Sequence, residues 1–197
     1  MYFEDILNQN KINDDKNRLA CVGDSLTQIT NYPDELQNLL GENYNVKEFG
    51  VSGSTVLTES FRPYTYQEAF KKAKDFQPNI VIIMLGTNDA NTINLPFVDQ
   101  FIEDYSELIK QFQDLKTNPQ IFLVKPPPIY YQGSDINNTN LVNYIMPFIE
   151  QTANQLELPI IDVYDALSNH PEYFPDGVHP NIEGGKAIAK KIFQSIK

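Results

Sequence analysis

The residues that could do chemistry follow the short apolar runs of this chain. Ser25 comes directly after the run "LACVG", in the motif "GDSL", where a buried strand gives way to a turn or a helix. A serine in this place can cap a helix, since its hydroxyl oxygen can accept a hydrogen bond from a free N–H of the first turn. Thr27 could do the same. Ser25 can instead be a nucleophile, provided that a neighbouring base takes its proton.

The chain offers His170 and His179 as such a base. His170, in "SNHPEYF", has no acidic residue before it and is expected to be a surface residue. His179 ends "PDGVH", where Asp176 precedes it by three residues and Gly177 favours a tight loop. One turn can then present a carboxylate to one imidazole nitrogen while the other points into a crevice, as a general base requires. The alternative is a loop histidine that is hydrogen-bonded only for stability.

Two further apolar runs end in groups that could bind a negatively charged oxygen. One ends in "GTND", where the neutral amide of Asn88 can donate to developing charge without titrating. Asn88 and Asp89 could equally form a turn or cap a helix. The other ends in "GVSGST", where Gly50 and Gly53 could form a turn or let a backbone N–H approach a ligand closely.

The elements that must position these residues follow from hydrophobic periodicity. Five runs have the length of strands and alternate with stretches of helical spacing. The runs cover 19–23, 45–51, 79–85, 120–125 and 158–163, and the helical stretches cover 33–40, 66–76, 97–115, 138–157 and 183–196. Consecutive apolar positions indicate strands that are covered on both faces, and the alternation indicates a doubly wound sheet.

The predicted fold class is therefore α/β, a three-layer α/β/α sandwich around a five-stranded parallel sheet of flavodoxin-like strand order. We expect a single domain over residues 1–197. In such sheets, ligands bind beyond the carboxyl ends of the strands. The loops after residues 23, 51, 85, 125 and 163 should therefore face one crevice, and the residues named above should meet there.

Composition narrows the class of partner. The 197 residues are 41% hydrophobic, enough for one core, and the formal net charge of -11 argues against nucleic acid or an anionic membrane surface. The longest apolar runs fall short of the roughly 20 residues that span a bilayer. The polar segment 1–18 lacks a secretory signal pattern, so a cytoplasmic location is expected. Cys21, the lone cysteine, is expected to be a buried filler.

Four blocks taken together resemble the SGNH or GDSL family of esterases and lipases. They are "GDSL" at 23–26, "GVSGST" at 50–55, "GTND" at 86–89 and "DGVH" at 176–179. The resemblance implies Ser25 as nucleophile, His179 as base and Asp176 as the group that orients the imidazole. It also implies an oxyanion hole formed by the backbone N–H groups of Ser25 and Gly53 and the side-chain amide of Asn88. No metal or organic cofactor is implied.

The forms "EFGVSGSTVL" and "FPDGVHPN" look most like bacterial carbohydrate or sialate O-acetylesterases. The expected function is a serine hydrolase that removes acetyl groups from a carbohydrate ester through an acyl-enzyme. A lysophospholipase or acyl-thioesterase for longer chains is the first alternative. A flavin-binding module is another, and a glycosidase that uses Asp24 and Asp176 as paired carboxylates is a third.

Specificity is expected to depend on the loops 58–70, 91–97 and 126–137, which follow the second, third and fourth strands. Four side chains in them could contact a sugar or could simply pack the loops onto the body of the protein. They are Arg62, Tyr64, Tyr130 and Tyr131.

Overall fold

A five-stranded parallel sheet lies at the centre of the computed structural model, which describes residues 16–133 and 135–197. Its strands are β1 (Asn17–Gly23), β2 (Tyr44–Gly50), β3 (Ile80–Met84), β4 (Gln120–Lys125) and β5 (Ile160–Asp162). Their spatial order is β2-β1-β3-β4-β5. This confirms the predicted flavodoxin-like order, in which the winding reverses between β1 and β3 and leaves a crevice at the carboxyl edge.

Helices cover both faces of this sheet. They are α1 (Ser25–Gln28), α2 (Tyr32–Leu40), α3 (Glu68–Asp75), α4 (Phe101–Gln113), α5 (Met146–Gln155), α6 (Val163–Leu167) and α7 (Ile182–Ser195). Short 3-10 segments cover Tyr64–Tyr66, Asn88–Ala90, Thr92–Gln100 and Pro171–Tyr173, and a helical turn, Asn138–Asn140, runs into a π-helical segment, Leu141–Ile145. The predicted three-layer α/β/α arrangement is confirmed.

Two hydrophobic cores result, because successive side chains of a strand point to opposite faces. In β1, Ala20 and Val22 join the core beneath α3, α4 and α5, whereas Leu19 and Cys21 join the core beneath α2, α6 and α7. Cys21 is fully buried, as expected, and desolvation raises the pKa of its thiol to about 12. Its thiol is therefore a packing group without the thiolate character that reactivity requires.

Three of the elements whose extent differs from the sequence prediction do so for an identifiable physical reason. The helix predicted over 97–115 begins at Phe101, and a 3-10 segment that contains Pro96 comes before it. The helix predicted over 138–157 is interrupted by the π-helical segment before Pro147, which lacks the N–H that an unbroken helix would use. The last strand ends at Asp162, because the side chain of Asp162 accepts a hydrogen bond from the Asp165 N–H and caps α6.

The segment 1–18, on which the expectation of a cytoplasmic location rests, lies almost wholly outside the described residues. Within residues 16–133 and 135–197, no helix is both long enough and apolar enough to cross a membrane.

Close packing of α1 against the end of β2 sets the position of the first loop. A Cβ atom on Gly50 would lie 2.4 Å from the Gln28 nitrogen and 2.8 Å from the Asp24 carbonyl oxygen. Both are backbone atoms that flank Ser25, so only a glycine permits this approach.

Replacing Gly50 with alanine is therefore expected to push α1 away from β2. We expect Gly50→Ala to lower the free energy of unfolding by about 1–3 kcal/mol, measured by urea denaturation, through overpacking. The amide NMR signals of residues 24–28 should shift. Gly41→Ala is the matched control, since Gly41 has a φ of 74° but open space around it. It should destabilise the protein by a comparable amount and leave those signals in place, and unchanged signals in Gly50→Ala would contradict this packing argument.

Candidate active site

Ser25 is the first residue of α1, at the carboxyl end of β1. The helix cap is Asp24, whose Oδ1 accepts a hydrogen bond from the Leu26 N–H at 2.9 Å. The capping role that the sequence left open for Ser25 or Thr27 is therefore filled by their neighbour. The Thr27 hydroxyl pairs instead with that of Tyr32, at 3.0 Å. The Ser25 hydroxyl is thus available for another partner.

That partner is His179, on the loop before α7. The Nε2 atom of His179 lies 2.9 Å from the Oγ of Ser25, although 154 residues separate them in sequence. On the other side of the ring, Nδ1 lies 2.7 Å from Asp176 Oδ2. The second carboxylate oxygen, Oδ1, accepts hydrogen bonds from the N–H groups of Val178 and His179, at 2.9 and 2.7 Å. The fold thus brings Ser25, His179 and Asp176 into one chain of hydrogen bonds.

The charge on Asp176 fixes the direction of this chain. Desolvation opposes ionisation, but the hydrogen bonds from His179 and Val178 outweigh it and lower the pKa of Asp176 to about 2. An ionised carboxylate favours the tautomer with the proton on Nδ1, which leaves Nε2 as an acceptor facing Ser25 Oγ. The arrangement can therefore remove a proton from the serine as its oxygen attacks an electrophile.

The loop after β4 packs against the loop that carries His179 through backbone contacts at Gly177. Gly177 has a φ of 82°, and a Cβ atom there would lie 2.5 Å from the Tyr131 nitrogen. The Gly177 carbonyl accepts hydrogen bonds from the N–H groups of Tyr130 and Tyr131, at 2.7 and 2.9 Å. The sequence does not reveal this contact, because the contact joins backbone groups of two loops that are distant in the chain.

Of the four side chains considered for sugar contact, Tyr64 and Tyr130 pack loops onto the body of the protein. Tyr64 is fully buried and its hydroxyl donates to the Phe49 carbonyl. The Tyr130 hydroxyl donates to the carbonyl oxygens of Leu167 and Ser168. Tyr131 and Arg62 stay exposed. His170 is a surface residue, as expected, with Nδ1 2.8 Å from Glu172 Oε1.

The two glycines after β2 differ in what their N–H groups do. The Gly50 N–H donates to Glu48 Oε2 at 2.9 Å, and Gly50 is buried. Gly53 is exposed, has a φ of 79°, and its N–H finds no acceptor among residues 16–133 and 135–197. Gly53 is therefore the one whose N–H can donate to a ligand.

The side-chain amide of Asn88 already donates two hydrogen bonds within the protein, which the sequence does not show. Its Nδ2 donates to the Ser54 carbonyl at 3.0 Å and to Asp24 Oδ2 at 3.2 Å. Asp24 is fully buried, and desolvation raises the pKa of its carboxyl to about 7. Of the two bonds, the one to Asp24 is the longer. An anionic oxygen at the site would therefore compete with Asp24 for one amide hydrogen.

Asp89 binds the loop after β2 through its side chain, whereas the sequence suggested only a turn or a helix cap. It is fully buried, and its two carboxylate oxygens accept hydrogen bonds from the N–H groups of Val56 and Leu57, at 3.0 and 2.9 Å. Desolvation raises the pKa of Asp89 to about 7. It ties the loop after β2 to the end of β3.

A cavity of about 140 Å³ opens beside Gly53 and Asn88, between the loops that follow β2 and β3. Phe61, Arg62 and Ile93 also line it. In the described ranges, no group of three or more His, Cys, Asp or Glu side chains is arranged to hold a metal ion.

Comparison with known proteins identifies the family. Residues 21–187 match the model of the GDSL-like lipase/acylhydrolase family. The chain belongs to this family. It is 33% identical to an acetylxylan esterase of Xylanibacter ruminicola, over 93% of this chain and 44% of that protein. The chain spans about half the length of the curated relatives that it matches.

Two solved structures show the same fold as this GDSL-like chain. One is a carbohydrate acetylesterase family member from Sinorhizobium meliloti, with a TM-score of 0.70 and 19% identity, over 90% of this chain and 96% of that one. The other is the aryl esterase of M. smegmatis, with a TM-score of 0.70 and 20% identity, over 91% of this chain and all of that one.

The Asp176 carboxylate should control the nucleophilicity of Ser25 in this GDSL-like site. In Asp176→Asn, an amide NH₂ can face Nδ1, which favours the wrong imidazole tautomer, so covalent labelling of Ser25 by a fluorophosphonate should slow on the order of 10³ to 10⁴-fold. Glu172→Gln is the matched control, because it changes the surface carboxylate–imidazole pair of His170. In Glu172→Gln, Ser25 should be labelled at the wild-type rate. Equal labelling of Asp176→Asn and the wild type would exclude this role.

Proposed function

We propose that this chain is a serine hydrolase that removes acetyl groups from a carbohydrate ester. The observation that carries the proposal is the hydrogen-bonded chain from Ser25 through His179 to Asp176. The Gly53 N–H, which finds no acceptor among the described residues, lies on the loop after β2, the strand next to β1. A serine hydroxyl, an oriented imidazole and a donor for an oxyanion are the groups that acyl transfer requires.

In the proposed mechanism, Ser25 Oγ attacks the ester carbonyl carbon while His179 Nε2 takes the hydroxyl proton. The carbonyl oxygen becomes an oxyanion, which the N–H groups of Ser25 and Gly53 and the amide of Asn88 stabilise. His179 then gives its proton to the departing alcohol, and an acyl-enzyme remains. Water, deprotonated by His179, attacks this ester and releases the acid and Ser25.

A short acyl group fits the space beside the oxyanion donors. A water molecule occupies about 30 Å³ in the liquid, so the cavity of about 140 Å³ holds a group of a few heavy atoms. The names of the Xylanibacter relative and of the Sinorhizobium structure, an acetylxylan esterase and a carbohydrate acetylesterase family member, support acetyl groups on sugars. These observations do not favour a lysophospholipase or acyl-thioesterase.

Particular residues argue against the two alternatives from other classes of protein, a glycosidase and a flavin-binding module. A glycosidase would need Asp24 to face the substrate, but Asp24 is fully buried and caps α1. A flavin-binding module would give no role to the Asp176–His179 pair, whose imidazole Nε2 lies 2.9 Å from the Ser25 Oγ.

Hydrolysis of p-nitrophenyl esters from acetate to laurate tests the acyl-transfer step. We expect the acetate to be the best substrate, with kcat/KM falling as the chain lengthens. Ser25→Ala should lose the activity while keeping its circular dichroism spectrum. A preference for the laurate would overturn the assignment to acetyl groups. Activity that survives in Ser25→Ala would overturn the serine mechanism.

The sugar side of the substrate is expected to rest on Phe61. Phe61 is fully exposed at the mouth of the cavity, and an aromatic face beside polar groups is typical of a ligand site. We expect Phe61→Ala to raise KM for an acetylated xylo-oligosaccharide by roughly 10-fold, equivalent to the 1.4 kcal/mol of one ring contact. The KM for p-nitrophenyl acetate should change little.

Tyr66→Ala is the matched control for this experiment. Tyr66 is an exposed aromatic residue of the same 58–70 loop, but it does not line the cavity. An equal effect of Phe61→Ala and Tyr66→Ala, or an equal effect of Phe61→Ala on both substrates, would contradict the sugar contact.

A further inference from the structure

Two side chains hold Ser52, the residue before Gly53, and one of them binds the peptide group that joins these two residues. Arg62 Nη1 donates to the Ser52 carbonyl oxygen at 2.8 Å. Gln28 Oε1 accepts hydrogen bonds from the Ser52 N–H, at 2.8 Å, and from the Ser52 hydroxyl, at 2.7 Å. Gln28 belongs to α1, the helix that begins with Ser25. The residue before Gly53 is thus fastened to the helix of the nucleophile.

The planarity of the peptide group transmits this constraint to Gly53. In a trans peptide, the C=O of one residue and the N–H of the next lie in one plane and point in opposite directions. The described residues contain no cis peptide bond. Arg62 therefore fixes the direction of the Gly53 N–H when it binds the Ser52 carbonyl. The Ser54 N–H donates to the Val51 carbonyl at 3.1 Å and closes a turn around this peptide. Such a turn still leaves the direction of its central peptide open, because type I and type II turns differ mainly by a flip of that peptide and a glycine with a φ of 79° permits the second form.

Arg62 is itself held in place by the base of its loop. Its carbonyl oxygen accepts a hydrogen bond from the Thr55 N–H at 3.1 Å, and the Thr55 carbonyl accepts one from the Tyr64 N–H at 2.9 Å. Thr55 and Pro63 pair as an isolated bridge. The guanidinium therefore extends from a closed loop back to the peptide that precedes Gly53.

The positive charge of Arg62 adds to the geometric effect. A hydrogen bond from a cationic donor is stronger than one between neutral groups, and hydrogen bonds in a chain polarise one another. A cation on the Ser52 carbonyl withdraws electron density from the amide and makes the Gly53 N–H a better donor.

We propose that Arg62, supported by Gln28, is a positioning residue that orients the Gly53 N–H toward the oxyanion. This inference rests on the proposed function, because it assigns Arg62 to the oxyanion step of ester hydrolysis. Arg62 acts on the reaction through the Ser52–Gly53 peptide, so it should change kcat rather than substrate binding.

Arg62→Met tests the inference, since methionine keeps an unbranched stem and removes every donor. We expect kcat for p-nitrophenyl acetate to fall about 10-fold, less than the 10² to 10³ typical of deleting an oxyanion donor, with KM within about twofold. Arg62→Lys keeps a cationic donor and should recover part of the loss. Gln28→Ala, which removes the second contact to Ser52, should lower kcat in the same sense.

Arg18→Met is the matched control. Arg18 also donates to a backbone carbonyl, from Nε to Gln77 at 2.7 Å, but it lies in β1 near the amino end of the sheet. This variant should keep the wild-type kcat. Thermal unfolding of each variant shows whether it is folded at the assay temperature.

Inhibition by a boronic acid, which forms a tetrahedral adduct with a catalytic serine, gives a second readout. If Arg62 orients an oxyanion donor, Arg62→Met should raise the inhibition constant by a factor similar to its loss of kcat. An unchanged kcat and inhibition constant would overturn the inference, and so would a change confined to KM, which would make Arg62 a substrate-binding residue. In either case an active wild type and an inactive Ser25→Ala would leave the proposed function intact. A wild type that hydrolyses no ester would overturn both.

Discussion

The close approach of α1 to the sheet is the constraint on which the site depends. Gly23 and Gly50 are partners in register at the carboxyl ends of β1 and β2. A Cβ atom on Gly23 would lie 2.2 Å from Thr27 Oγ1, and one on Gly50 would lie 2.4 Å from the Gln28 nitrogen. Since neither strand end leaves room for a side chain, α1 rests directly on the backbone. Ser25 therefore starts its helix at the point where the sheet reverses its winding, facing the loops after β2 and β3.

Buried carboxylates hold those loops, at a cost to stability near neutral pH. Asp24 binds the first turn of α1 and the Asn88 amide, and Asp89 binds the N–H groups of Val56 and Leu57. Burial raises the pKa of each carboxyl from 3.8 to about 7. Between these values the folded state binds more protons than the unfolded state, so the free energy of unfolding falls as pH rises. Asp24 and Asp89 thus organise the site although each makes the protein less stable as the pH rises toward neutrality.

Local pattern was sufficient for much of this organisation. The order of strands and helices placed Ser25, Gly53, Asn88 and the Asp176–His179 loop at one edge, because strand ends in a parallel sheet must meet there. The sequence pattern does not predict which groups of distant loops form hydrogen bonds with each other. Nothing in "GVSGST" shows that the Gly50 N–H is taken by Glu48, and nothing in "GTND" shows that the Asn88 amide already has two acceptors. The buried positions of Tyr64 and Tyr130 likewise depend on carbonyl groups that only the fold supplies.

The loop from Ser52 to Pro63 joins catalysis to recognition. Its base is fixed, because Asp89 binds two of its N–H groups and Asp104 accepts from the Thr58 N–H at 2.7 Å. Its tip presents Phe61 to solvent. In the proposed mechanism the fixed part contributes the oxyanion donor, and the tip meets the alcohol that carries the acyl group. Changes at Phe61 can then alter which ester binds while Arg62 still holds the peptide before Gly53, which is how one hydrolytic apparatus comes to serve many substrates on a common fold.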